Sequence, residues 1–167
     1  LSGLQSLELG SNRISDISAL AALNLNNLDL GSNLISDITA LQNHTAIEGL
    51  NLYYNAIVDL GPLAGLTNLT YLYQGDNRVT DAAPLGNMIN LRTLDLSENG
   101  ISDIDWFPEL TSLDWLSPVV EALEIMEARI RRAGLHDNPA YQLASWVVAA
   151  QDQLRLDEVV LLIPTPR

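Results

Sequence analysis

Asparagines stand at positions 12, 33, 55, 77 and 99, spaced by 21, 22, 22 and 22 residues. A period this short constrains the fold more than any bulk property, because one such unit cannot bury its own apolar face and must stack on its neighbours. The apolar columns recur in phase. Leu4, Leu7 and Leu9 lead into the first asparagine, and Leu25, Leu28 and Leu30 into the second. Ile47, Leu50 and Leu52, then Leu69 and Leu72, then Leu91, Leu94 and Leu96 lead into the rest. Behind the asparagines come Ile14, Ile35, Ile57, Val79 and Ile101, and two residues later Asp16, Asp37, Asp59, Asp81 and Asp103.

Each Leu-x-Leu step predicts a short strand with one buried face. The asparagine sits where the chain must leave that strand, and its amide can satisfy backbone groups left open by a tight buried turn. Stacked units would align these amides in a ladder. The aspartate can cap a short helical turn on the return path. Equivalent strands then lie side by side in a parallel sheet, about 4.8 Å apart.

The pattern Leu-x-x-Leu-x-Leu-x-x-Asn-x-Ile-Ser-Asp-Ile resembles a leucine-rich repeat. Its 22-residue Ile-Ser-Asp-Ile form is similar to the repeats of bacterial internalins and of a eukaryotic phosphatase-regulating subunit. The resemblance covers residues 1–116, about five repeats without an N-terminal cap. It implies a right-handed α/β solenoid, with a parallel sheet on the concave side and 3₁₀ turns on the convex side. For location it favours a secreted or cell-surface bacterial protein and leaves the cytoplasm open.

Several positions depart from the pattern. The second unit arrives one residue early at Leu23-Asn24-Leu25, which predicts a tightened loop into its strand. His44 occupies an apolar column, and a partly buried histidine bonded to a backbone group is expected there. Gln74 occupies a leucine column, where a side chain tied into the asparagine ladder is expected. The segment Asp95 to Asn99 imitates a calcium loop, but Trp106 stands where the closing glutamate belongs, so no metal is assigned. A sixth unit starts with Leu113 and Leu116 and then fails at Pro118 and Glu121.

Residues 117–167 read as a separate capping segment. Val119, Leu123, Met126, Ile130 and Ala133 follow helical spacing behind Ser117 as N-cap and Pro118 as first helical residue. A second helix is expected from Asp137-Asn138-Pro139 onward, and residues 158–163 read as a final β segment. Such a module would cover the open edge of the last repeat.

Composition excludes several function classes. The 167 residues contain no cysteine, so disulfides and thiolate catalysis are out. Lysine is also absent, which removes lysine Schiff-base chemistry and the phosphate loop that ends in Gly-Lys-Ser/Thr. The net charge is −13, and −10 of it falls on residues 1–112. An acidic chain is repelled by phosphate backbones, which argues against nucleic acid. No apolar run reaches the ~18 residues needed to cross a membrane. No catalytic constellation stands out: the two histidines, His44 and His136, lie far apart, and the serines and aspartates recur with the repeat. Neither an enzyme activity nor a cofactor is expected.

The informative columns are those between the buried leucines, whose side chains face away from the core. Tyr53, Tyr54, Tyr71 and Tyr73 gather in them on two adjacent strands. Asp29, Asp76, Asp95 and Glu98 surround them, with Arg92 nearby and Trp115 further along. Clustered exposed tyrosines fit a binding surface. The reading is a non-enzymatic module that grips a protein or peptide on its concave face, with a partner that is basic at the contact. The alternatives are a structural or assembly segment, self-associating through the solenoid ends, and a polysaccharide binder.

Overall fold

The computed structural model describes residues 3–101, Trp106, Leu110, residues 112–113, residues 115–117 and Leu161–Leu162. Five three-residue strands repeat in phase: β1 (Ser6–Glu8), β2 (Asn27–Asp29), β3 (Gly49–Asn51), β4 (Tyr71–Tyr73) and β5 (Thr93–Asp95). Between them run 3₁₀ turns at Ser18–Ala22, Thr39–Leu41, Gly61–Leu63 and Ala83–Leu85. β6 (Trp115–Ser117) continues the parallel array, and β7 (Leu161–Leu162) pairs antiparallel with β6. The sheet therefore runs β1 to β7 in chain order.

The sequence period sets the register. Leu7 stands opposite Leu28, Leu28 opposite Leu50, Leu50 opposite Leu72, and Leu72 opposite Leu94. Pairing continues past the strands: Leu9 N donates to Asp29 O at 2.8 Å, and Leu52 N to Tyr73 O at 2.7 Å. The core is one continuous column of leucines, isoleucines and valine from the strand side and the turn side together. Leu25, Leu30, Ile47, Leu52, Ile57 and Leu69 are wholly buried in it. Leu4, Leu7, Leu9 and Ile14 of the first repeat are only partly buried against the same core.

The asparagine ladder forms as the spacing predicts. Asn55 Oδ1 accepts from Ile35 N at 2.9 Å, while its Nδ2 donates to Leu30 O and Leu52 O, each at 3.1 Å. Asn33, Asn77 and Asn99 repeat this arrangement. One amide thus ties its own turn to the preceding repeat. A second set was not legible as a column: Asn68 Nδ2 donates to Thr45 O at 2.8 Å and Asn90 Nδ2 to Thr67 O at 2.9 Å.

The recurring aspartates open the 3₁₀ turns. Asp16, Asp37, Asp59 and Asp81 each accept from the backbone N–H two residues on, at 2.7–2.8 Å. The first repeat reaches its short period by a longer 3₁₀ turn, five residues against three elsewhere, that runs directly into Leu23.

Three expectations need correction. His44 is buried, not partly buried, and neither ring nitrogen has a hydrogen-bond partner. Gln74 is also wholly buried, and its Oε1 and Nε2 are both unpartnered. The ladder uses the backbone carbonyl of Gln74, which accepts from Asn77 and Asn99, and leaves its side chain out. The physical reason is that Gln74 occupies a core column facing leucines, while the ladder amides lie in the turn beyond the strand. Ser117, expected as a helix cap, is the last residue of β6. The two helices expected after it lie outside the described residues. Of the final β segment, Leu161 and Leu162 are in a strand, at the edge of β6.

Candidate functional site

Parallel register places the outward residues of the strands in two rows. One row runs Ser6, Asn27, Gly49, Tyr71, Thr93, and the other Glu8, Asp29, Asn51, Tyr73, Asp95, while the backbone of Trp115 and Ser117 pairs with Thr93 and Asp95. Tyr71 and Tyr73 share a face of β4, with ring centroids 6.2 Å apart and planes tilted by 50°. Tyr53 and Tyr54 follow β3 and form their own pair at 6.3 Å and 33°. All four rings are exposed, from 36% at Tyr71 to 60% at Tyr54, on a sheet whose other face is closed core.

Tyr71 has the most specific environment. A Cβ on Gly49 would stand 1.9 Å from both Cζ and Oη of Tyr71, so the ring lies directly across the glycine. Its hydroxyl donates to Asn27 Oδ1, two strands away. The ring therefore bridges β4, β3 and β2. Burial pushes the Tyr71 hydroxyl pKa up, and the neighbouring Tyr73 and Glu48 add to the rise.

The carboxylates around the rings differ in use. Asp29 Oδ1 accepts from Gly31 N at 2.8 Å and from Asn51 Nδ2 at 3.0 Å. Asp95 Oδ1 accepts from Ser97 N at 3.0 Å and from Ser97 Oγ at 2.6 Å. With Asn99 engaged in the ladder, the calcium-like segment is occupied by structural bonds. Among the described residues no group of three or more His, Cys, Asp or Glu is placed to hold a metal. Asp76 and Glu98 take the left-handed turn position, with φ of 52° and 51°, in line with Ser11, Ser32 and Tyr54. Arg92 precedes β5 with its side chain exposed, and Trp115 opens β6.

A groove of about 350 Å³ brings part of this set together. Tyr71, Tyr73 and Asp29 line it, joined by Glu8, Asn27 and Asn51. The other candidates stand elsewhere on the strand side or beyond it. Sequence reading missed Glu8, Asn27, Gly49 and Asn51 as site residues. The signal that could have found them is the column itself: they occupy the same outward positions as Tyr71 and Tyr73.

A family model for leucine-rich repeats, in two copies, matches residues 2–43, and a single-repeat model of the same kind matches residues 90–113. The chain carries leucine-rich repeats over these segments. This solenoid resembles internalin C2 of Listeria monocytogenes at 37% identity and a TM-score of 0.64, covering 65% of this chain and 49% of that one. It resembles internalin F of the same organism at 36% identity and a TM-score of 0.68, covering 70% of this chain and 34% of that one. A leucine-rich-repeat protein of Leptospira interrogans aligns at 27% identity and a TM-score of 0.63, over 70% of this chain and 31% of that one. The repeat chain thus spans half or less of these solved structures. No curated protein sequence matches it significantly.

Proposed function

We propose that this leucine-rich-repeat chain is a non-enzymatic binding module that holds a protein or extended peptide on its strand face, with the partner basic at the contact. The observation that carries this reading is the set of four exposed tyrosine rings on β4 and the turn after β3. A tyrosine offers apolar area and a hydroxyl while losing little rotamer entropy on binding. Stacked repeats present such residues on an extended concave surface, the usual binding face of solenoids. The net charge of −13 would steer a basic partner and make its association salt-sensitive.

Photo-crosslinking residues at positions 53 and 73, with controls at Ala40 and Ala64 on the turn side, test the reading. Crosslinks to one basic protein or peptide from the strand face alone are expected. Equal crosslinking from both sides, or capture of glycans only, would overturn it.

A further inference from the structure

We infer that the groove between β1 and β4 is a subsite for an arginine side chain of the bound partner. This inference rests on the proposed binding face and names the chemistry of its most structured part.

Four observations converge on that ligand. The first is shape: the groove is about 350 Å³, larger than one side chain needs, and it is open to the strand face. The second is its floor. Gly49 supplies no side chain, and the Tyr71 ring lies in the space a Cβ would fill. The third is rigidity. Tyr71 is tied to Asn27, and Asp29 is held by Gly31 N and Asn51 Nδ2. A preorganised site loses less entropy on binding than one that must order its own side chains.

The fourth is charge. Glu8 and Asp29 stand opposite each other on adjacent strands, and the lining contains no arginine. Their strands lie about 5 Å apart, and two carboxylates carried side by side on them suit a group that donates several hydrogen bonds in one plane. A guanidinium has that planar fork, and its face also stacks on tyrosine, whereas an ammonium offers a point charge. Its walls include two carboxylates and two tyrosine rings, both complementary to a guanidinium.

The test is titration of the full chain with Nα-acetyl-arginine amide, followed by amide NMR shifts. Parallel titrations use the lysine and citrulline analogues and a neutral trisaccharide. The arginine compound is expected to shift the amides of residues 8, 27–31, 49–51 and 71–73 together. Lysine is expected to bind more weakly, and citrulline and the sugar not to bind.

Asp29→Asn keeps an acceptor for Gly31 and removes the charge; Glu8→Gln alters an exposed side chain. Each is expected to weaken arginine binding, and the pair by on the order of tenfold or more. A melting curve unchanged in Glu8→Gln keeps the result interpretable if Asp29→Asn disturbs the fold. Citrulline binding as well as arginine, shifts scattered over the acidic surface, or sugar binding in the groove would each overturn the subsite. Loss of the subsite with strand-face crosslinking intact would leave the proposed binding face standing.

Discussion

Tyr71 lies across Gly49 and closes on Asn27 two strands away, so one side chain spans three repeats. The contact exists only because residue 49 has no Cβ. Every other strand-face position in that row carries a side chain: Ser6, Asn27 and Thr93. The glycine and the tyrosine form one structural unit.

Gly49→Ala is therefore expected to eject Tyr71 from its seat and destabilise the protein by about 1–3 kcal/mol, the scale of overpacking. In a Tyr71→Ala background the same substitution should cost far less. Urea denaturation of the four-member cycle measures the coupling. Equal costs in both backgrounds would show that the ring and the glycine are independent.

Gln74→Leu is expected to stabilise the chain by about 1–3 kcal/mol, because it removes two buried polar atoms that lack partners. Leu9, Leu30, Leu52 and Leu96 fill the same column, so the shape is already suited. A higher midpoint in urea with an unchanged slope is the expected result.

Asn55→Ala should have the opposite sign. It removes an acceptor for Ile35 N and a donor to Leu30 O and Leu52 O, which ties two repeats together. A loss of about 3 kcal/mol is expected from the groups left unsatisfied. Hydrogen exchange should speed up first at Ile35, whose N–H loses its acceptor.

Acid should weaken the turn side. Asp16 is held below its usual pKa of 3.8 by the backbone N–H of Ser18 and then its hydroxyl, and Asp37 by the Thr39 hydroxyl and then its N–H. A depressed folded-state pKa contributes stability that is present above the unfolded value and lost as pH falls through the folded one. Melting temperature should thus hold from neutral pH down to about 4 and fall below it. The Asp16→Asn, Asp37→Asn variant should flatten that fall.

Glu98→Gly should raise stability by about 1 kcal/mol, since Glu98 holds a φ of 51° that glycine adopts without a side-chain penalty. Thermal melting checks it. A lower melting temperature would mean that the glutamate side chain makes up for the strain.

The repeat columns by themselves determined the register, the asparagine ladder, the aspartates that open the turns and the outward direction of the tyrosines. Those features depend on sequence spacing alone, because a stacked unit repeats one geometry and Leu-x-Leu can bury only one face. Tertiary structure decided what spacing could not encode. The Gln74 side chain reads like a ladder amide, yet the ladder lies in the turn, so the glutamine points into the core without partners. His44 was legible as an exception but not as a wholly buried one. The groove needed Glu8, Asn27 and Tyr71, which are 19 and 44 residues apart in sequence and come together only when strands stack. The missing Cβ of Gly49 acts there as well: a period shows that a column holds a glycine, but only the stacked chain shows which neighbouring ring moves into the space.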